Sequence, residues 1–220
     1  KEYCLSNFID NVLTESDTMT IIADGVDHEL KQIIDRSEAA NIEILHETLG
    51  SNGASFRFQI DLAASFPDGE IVLLQEDDYL YMPAHWPYRA NTTYHELIKE
   101  ALNFAEYVSF YDHPDKYLSP QFGGNKYITD QGVENTGIFR TENSHWKYTN
   151  STTCTFATTA KVIRQDQKIW KAFCAGNHPH DFQSFLALGL RGRAVATSLP
   201  GKSTHTEMPW LSPFFEQNFS

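Results

Sequence analysis

Basic residues are scarce in this sequence. Lys and Arg together number 17 against 29 Asp and Glu, so the 220 residues carry a formal net charge of −12. Binding nucleic acid along an extended surface needs a basic face, and this balance therefore predicts no nucleic-acid partner. It does not exclude an anionic ligand, because a metal ion or a few local cations can reverse the field at one site.

Long apolar runs and clustered cysteines are also missing. No stretch approaches the roughly 18 apolar residues of a membrane span, and no segment resembles a signal peptide. We therefore expect a cytoplasmic protein with no transmembrane segment. Cys4, Cys154 and Cys174 lie far apart and lack CxxC spacing. This pattern indicates small buried thiols of an intracellular protein rather than a disulfide framework.

The sequence does contain enough apolar material for a core. Its content of 41% hydrophobic and 13% aromatic residues excludes wholesale disorder. No internal repeat, low-complexity tract or long linker divides the chain. We predict a single domain over residues 1–220.

The first half alternates apolar strands with amphipathic helices. The predicted strands are "MTIIADG", "NIEILHETLG", "EIVLLQ" and "YVSFY". Helices are predicted at "VDHELKQIIDRSE" and "SFRFQIDLAASF", and Thr93 followed by Glu96 is a capping-box pattern that begins another. This alternation indicates an α/β fold with a central, mainly parallel sheet flanked by helices.

The second half is less regular. The Thr- and aromatic-rich stretch "NSHWKYTNSTTCTFATTAKVI" favours strand, whereas "DQKIWKAFCAG" and "HDFQSFLALGL" favour short helices. The tail "LPGKSTHTEMPWLSPFF" is loop-like in composition, but it is too rich in His, Trp and Phe for a solvated tether.

Carboxylates fall at the ends of two predicted strands. Asp24-Gly25 ends the first, and Glu76, Asp77 and Asp78 follow "IVLLQ". In an open α/β sheet, ligands bind at the carboxyl ends of the strands. Hard divalent cations take one or two carboxylates together with substrate phosphates. We therefore predict a metal–diphosphate site; an ordinary solvated acidic turn is the alternative.

The tail segment "GKSTHTE" offers groups that suit the same site. Its His205 imidazole can serve as a metal ligand, while Lys202 and the neighbouring hydroxyls can hold phosphate. A surface loop with an incidental histidine is the alternative interpretation.

Taken in order, these segments resemble the nucleotide-sugar-binding half of GT-A glycosyltransferases. "TIIADG" resembles that family's first strand, which ends in an acidic residue near the nucleotide base. "SNGASFRFQIDLAASFPDGEIVLLQEDD" resembles the block that leads to the family's DxD metal motif, here written EDD. The strings "EDDYLY", "YDHPDKY", "SHWKYTNSTTCTF" and "GKSTHTEMPWLSP" are similar to a subset of bacterial and large-virus members.

The resemblance implies roles for the matching residues. Asp24 would recognise the base, uracil by expectation, with Gly25 allowing close approach. Glu76 or Asp77 would contact sugar or ribose. The residues expected near ribose or diphosphate are Ser51, Asn52, Ser55 and Arg57.

The resemblance also implies a cofactor and a division of the chain. Asp78 and His205 would hold Mn²⁺ or Mg²⁺, and Lys202 would hold the leaving diphosphate. Residues 1–110 would form the nucleotide-sugar-binding half. Residues 111–220 would form the acceptor half together with the metal- and phosphate-binding tail.

An inverting enzyme of this kind needs a general base for the acceptor hydroxyl. "GNHPHDFQSFLAL" matches the place where the family often carries it, which makes Asp181 the candidate and His180 its rival. A plain helix N-cap is an equally good interpretation of Asp181. Reserve candidates are Asp112, His113 and Asp115; possible acceptor contacts are Tyr79, Tyr81, Trp86, His145 and Trp146.

The function expected from this resemblance is a metal-dependent glycosyltransferase of hexosyl or deoxyhexosyl type. It would transfer a sugar from a nucleotide sugar, which we expect to be a UDP-sugar, to a hydroxyl of a carbohydrate acceptor. The resemblance does not indicate whether the anomeric configuration is inverted or retained. A sugar-nucleotidyltransferase is one alternative, although no Gly-rich basic loop follows "TIIADG". A non-enzymatic carbohydrate-binding module is another, and a glycoside hydrolase is a third, although adjacent acids do not establish the carboxylate spacing that a hydrolase needs.

Overall fold

The computed structural model describes residues 1–25, 41–86, 91–125, 134–207 and 210–212. The helices are α1 (Glu2–Asn11), α2 (Asn52–Ser65), α3 (Tyr94–Ala101), α4 (Ala160–Phe173) and α5 (Asp181–Leu190). The strands are β1 (Thr18–Asp24), β2 (Asn41–Glu47), β3 (Ile71–Leu74), β4 (Tyr79–Tyr81), β5 (Tyr107–Ser109), β6 (Ile138–Arg140), β7 (His145–Thr149), β8 (Phe156–Thr159), β9 (Val195–Leu199) and β10 (Ser203–His205).

The central sheet has six strands in the order β3-β8-β5-β9-β7-β6. Only β5 and β9 pair in parallel within it, and the other four pairings are antiparallel. The α/β class with flanking helices is confirmed, but the prediction of a mainly parallel sheet is wrong. No described helix lies between β6, β7 and β8, so these strands lack the helical crossover that usually joins parallel strands.

Two small sheets complete the strand pairing. β1 and β2 run parallel, with Asp24 opposite Glu47 at their carboxyl ends. β4 and β10 run antiparallel, with His205 opposite Tyr79. The second pair contradicts the loop-like prediction for the tail and brings residues from the far end of the chain beside the segment that follows β3.

Most local predictions are confirmed. The strands expected in "MTIIADG", "NIEILHETLG", "EIVLLQ" and "YVSFY" are β1, β2, β3 and β5, and the capping box of Thr93 and Glu96 is present at the start of α3. The helix predicted in "VDHELKQIIDRSE" lies outside the described residues. Helix α1 was not predicted, and "AKVI" is helical rather than strand because Thr159 caps α4 by accepting from the Val162 backbone.

The two faces of the sheet carry separate apolar clusters. Tyr107, Phe156 and Val195 point to one cluster, which includes Trp170 and Phe185 from α4 and α5. Their strand neighbours Val108, Ala157 and Ala196 point to the other cluster, together with residues of α1, β4 and α3. The alternation follows the two-residue period of a strand and fixes which helices cover which face.

Cysteine burial matches the expectation, since Cys4, Cys154 and Cys174 are buried and unpaired. Among the helices that the structure describes, none is both long and apolar enough to cross a bilayer.

Candidate functional site

The acidic run that follows β3 places its three carboxylates in different surroundings. Glu76 is partly buried against Thr155, whose hydroxyl donates to Glu76 Oε2 at 3.1 Å. Leu74 pairs with Phe156, so the carboxyl end of β3 lies beside the start of β8. Burial, and then the charges of Asp78 and Asp181, raise the pKa of Glu76 to about 7.

Asp77 points outward instead. Its carboxylate lies 2.7 Å from Lys1 Nζ, and the two side chains are 64% and 77% exposed. An ion pair so open to water contributes little to stability.

Asp78 contacts His205, the residue predicted as its partner. His205 Nε2 lies 3.1 Å from Asp78 Oδ2. The pairing of β10 with β4 positions the imidazole, and the backbone and hydroxyl of Thr206 both donate to the Asp78 carbonyl at 2.9 Å. Asp78 Oδ1 is buried and has no hydrogen-bond partner among the described residues.

The two side chains shift each other's pKa. Burial alone would raise the pKa of Asp78, but the hydrogen bond and charge of His205 outweigh it and the pKa is lowered. The hydrogen bond to Asp78 raises the pKa of His205 against the opposing effect of burial. The backbone N–H of Glu207 lies 3.3 Å from His205 Nδ1, the ring nitrogen on the other side from Asp78.

The residues present fit a divalent cation only as a partial ligand set. No group of three or more His, Cys, Asp and Glu side chains is arranged to hold a metal in the described part of the chain. Asp78 and His205 would supply a carboxylate and an imidazole, a donor pair that suits Mn²⁺. The unbonded Asp78 Oδ1 suits such a role, and substrate phosphate and water would complete the coordination.

Asp24 and Ser55, both predicted nucleotide contacts, meet at the amino end of α2. Asp24 Oδ2 accepts from Ser55 Oγ at 2.7 Å, and Oδ1 accepts from the Leu49 backbone at 2.7 Å. These bonds, that of Ser55 first, lower the pKa of Asp24. Gly25 adopts positive φ just after β1, while Ser51 caps α2 and Asn52 is its first residue. These hydrogen bonds connect the carboxyl end of β1 to the loop at Leu49 and to the amino end of α2.

Arg57 and Gly53 join α2 to the segment that follows α4. The Arg57 guanidinium donates to the Cys174 carbonyl, and its predicted place near ribose or diphosphate stays a prediction. A Cβ on Gly53 would collide with the Gly176 carbonyl. Sequence reasoning missed Gly53, although the "SNG" string that contains it was a usable signal.

Lys202, the predicted ligand of the leaving diphosphate, is buried. The residue is 1% exposed, and its ammonium donates to the carbonyls of Ala84, at 3.0 Å, and Trp86. Burial lowers the pKa of Lys202 to about 8. These contacts give Lys202 a structural role, and its predicted role as a ligand of the leaving diphosphate stays a prediction.

Three of the aromatic residues predicted as acceptor contacts belong to the core. Tyr79, Tyr81 and Trp146 are buried and pack in the cluster on the α1 and α3 face. His145 is exposed at the start of β7, and Trp86 is partly exposed. Tyr79 nevertheless contacts a residue of the pocket described next, because its hydroxyl donates to Thr153 Oγ1 at 2.7 Å.

A pocket of about 210 Å³ brings together three of the candidate acid–base residues. Asp181 lines it, whereas His180 is exposed and is not among its lining residues. Asp112 is not in the lining either, and pairs with Lys147 at 2.8 Å. The lining residues are His113, Asp115, Lys116, Asn125, Ser151, Thr152, Thr153, Asp181 and Phe182.

The pocket adjoins the acidic run. Burial raises the pKa of Asp181, while the negative charge of Asp181 in turn raises that of Glu76. The Tyr79 ring, bonded to pocket residue Thr153, lies edge-to-face with His205 at 5.2 Å between centroids. One side chain therefore links the pocket to the Asp78–His205 pair.

Lys116 is a pocket residue that sequence reasoning missed. It is 2% exposed, and its Nζ donates to Asn150 Oδ1 at 2.6 Å and Ser151 Oγ at 2.7 Å. The string "YDHPDKY" includes it, but only the acids and the histidine of that string drew attention.

No protein-family model matches the sequence, and a search of curated proteins finds no match. The functional interpretation therefore depends on the geometry of the site and on the resemblance described above.

Proposed function

We propose that this protein is a metal-dependent glycosyltransferase. It takes a nucleotide sugar, with UDP as the preferred nucleotide, and transfers the sugar to a hydroxyl of a carbohydrate acceptor. Asp78 and His205 hold Mn²⁺ or Mg²⁺ together with the donor diphosphate. The bound cation would supply Lewis-acid stabilisation of the charge that develops on the departing phosphate.

The contact between Asp78 and His205 is the observation that carries this proposal. The two residues come from distant parts of the chain, and the resemblance to GT-A glycosyltransferases implies that they share a cation. Their 3.1 Å approach, with Asp78 Oδ1 buried and unbonded, supports that pairing.

The acceptor side is supported by Asp181. As a carboxylate that lines a pocket next to Glu76, it can take the proton of an acceptor hydroxyl. Burial raises its pKa, which makes it a stronger base than an exposed aspartate.

Thermal unfolding with UDP and Mn²⁺ tests the donor site. A ligand present at about 100 times its dissociation constant adds about 2.7 kcal/mol to the stability of the folded state. We expect UDP with Mn²⁺ to raise the Tm by several degrees, and either component alone to raise it less. Asp78→Ala and His205→Ala should abolish the synergy.

Asp61→Ala is the matched control, because Asp61 is an exposed aspartate on α2 whose ion pair with Lys171 is solvated. It should keep the full response. A wild-type protein whose Tm does not change with UDP and Mn²⁺ would remove the main support for the proposal. Where binding is found, slow release of UDP from a panel of UDP-sugars identifies the donor.

A further inference from the structure

The pocket beside Asp181 has a volume and chemistry of its own. At about 210 Å³ it is smaller than the roughly 300–1,000 Å³ of sites for drug-sized ligands. It has room for a single ring-sized unit rather than for an extended chain.

Its hydroxyls leave both donors and acceptors available to a ligand. Thr153 Oγ1 accepts from Tyr79 and from the Thr155 backbone, so its own proton is left to donate. Thr152 Oγ1 donates to Ser109 Oγ at 2.9 Å, so its lone pairs are left to accept. A ligand hydroxyl is itself donor and acceptor and can satisfy both.

The lining carries charges of both signs. Asp115 Oδ1 lies 2.8 Å from His113 Nδ1 and 3.9 Å from Lys116 Nζ. The buried Lys116 ammonium disfavours a second cation, and the Asp115 and Asp181 carboxylates disfavour an anion. A neutral ligand meets neither penalty.

One wall of the pocket is aromatic. The Phe182 ring lines it, and the Lys116 ammonium lies 5.9 Å from the ring centroid. An apolar ring face together with paired donors and acceptors suits a molecule that has a C–H face and a rim of hydroxyls.

We propose that this pocket binds one neutral monosaccharide unit, with Thr152, Thr153 and Asp181 on its hydroxyls and Phe182 against its C–H face. If the proposed function holds, this monosaccharide is the terminal sugar of the acceptor; that role rests on the proposed function. The enzyme would then select neutral acceptor sugars over uronic acids and amino sugars.

Saturation-transfer NMR without nucleotide or metal tests the pocket directly. The probes are methyl glucoside and methyl galactoside as neutral sugars, glucuronate as the anion and glucosamine as the cation. We expect at least one neutral glycoside to bind, and the two charged sugars to bind about tenfold more weakly or not at all.

Substitutions in the lining test whether the glycoside binds in this pocket. Thr152→Val and Phe182→Ala should each weaken the neutral glycoside about tenfold, whereas Phe104→Ala, on an exposed aromatic outside the lining, should not. Circular dichroism confirms that each variant is folded, and the near-isosteric Thr152→Val remains informative if Phe182→Ala unfolds.

Asp78→Ala separates this proposal from the proposed function. It should abolish the response to UDP with Mn²⁺ and leave sugar binding intact. If sugar binds and UDP does not, the transferase and the acceptor role fail together, and the binding of a neutral monosaccharide in the pocket stands. If UDP with Mn²⁺ binds but no neutral glycoside does, or if a charged sugar binds more tightly, the pocket assignment is overturned alone.

Discussion

Two carboxylates in this protein, Asp166 and Asp78, differ in how completely their oxygens are hydrogen-bonded. In the core, Asp166 accepts from Tyr107 Oη at 2.9 Å and from Arg193 Nε at 2.7 Å and Nη2 at 3.1 Å. At the site, Asp78 Oδ1 is buried and has no hydrogen-bond partner among the described residues.

This difference in hydrogen bonding separates a carboxylate with a structural role from a carboxylate that can still bind a ligand. A buried carboxylate with every oxygen bonded stabilises one arrangement and offers nothing further. Buried oxygens without hydrogen bonds are uncommon in native proteins and call for a specific explanation, such as a bound ion or substrate. The following predictions test this division, beginning with the largest expected effect.

Asp166→Ala should be the most destabilising of these changes. It leaves the Arg193 guanidinium and the Tyr107 hydroxyl without their acceptor in the core, and the free energy of unfolding should fall by about 3 kcal/mol. Urea denaturation measures the loss. Asp61→Ala, which breaks an exposed pair, should cost less than about 0.5 kcal/mol. Equal losses for the two variants would refute the comparison.

Glu76→Gln should stabilise the metal-free protein at alkaline pH. The pKa of Glu76 is raised from 4.5 to about 7, so the unfolded state loses this proton first and stability falls as the pH rises through that interval. Glutamine removes this penalty while keeping an acceptor for Thr155. We expect a gain of about 1–3 kcal/mol at pH 8 and a much smaller one near pH 4. The exposed Glu70 serves as control through Glu70→Gln; a gain that does not vary with pH would contradict the prediction.

The Asp78–His205 pair should stabilise the metal-free protein over a limited pH range. The pKa of His205 is raised in the folded protein. Its contribution to stability is therefore complete when the pH is below the pKa of the unfolded state, and it disappears as the pH rises through the pKa of the folded state. Asp78 has a lowered pKa, so its contribution disappears as the pH falls through its folded value. His205→Asn should cost about 0.5–1 kcal/mol near pH 6 and less near pH 9. His178→Asn, at an exposed loop position, should show no such dependence.

Asp77→Ala should have the smallest effect. Because both partners of its ion pair with Lys1 are mostly exposed, the unfolding free energy should change by less than about 0.5 kcal/mol. Chemical denaturation at low and high salt measures it. A loss comparable to that of Asp166→Ala would show that exposure does not separate the two kinds of carboxylate.

Local features of the fold were predictable from the sequence because local residues determine them. The apolar runs of β1 and β3 and the capping box at Thr93 depend only on neighbours in the chain. Strand direction was not predictable, since it depends on which distant strands pair. Nothing in residues 156–159 alone indicates that β8 lies antiparallel between β3 and β5.

The site was predictable in part for the same reason. Residue type indicated carboxylates and an imidazole that suit one site, but the resemblance was needed to single out Asp78 as the carboxylate that shares a metal with His205. Lys202 shows the limit, because a lysine suits a phosphate equally well in sequence whether its ammonium faces the site or is buried against backbone carbonyls. The presence of a positive charge in the pocket likewise depends on the burial of Lys116, which the sequence does not reveal.

The pairing of β10 with β4 has a consequence for biosynthesis. Asp78 leaves the ribosome long before His205, and the imidazole reaches the carboxylate only when β10 aligns against Tyr79–Tyr81. Contacts between residues so distant in sequence form late, because the intervening chain must first be ordered. A growing chain that still lacks His205 therefore cannot bind donor in the proposed manner, and metal-dependent binding of UDP would report that folding of this end of the protein is complete.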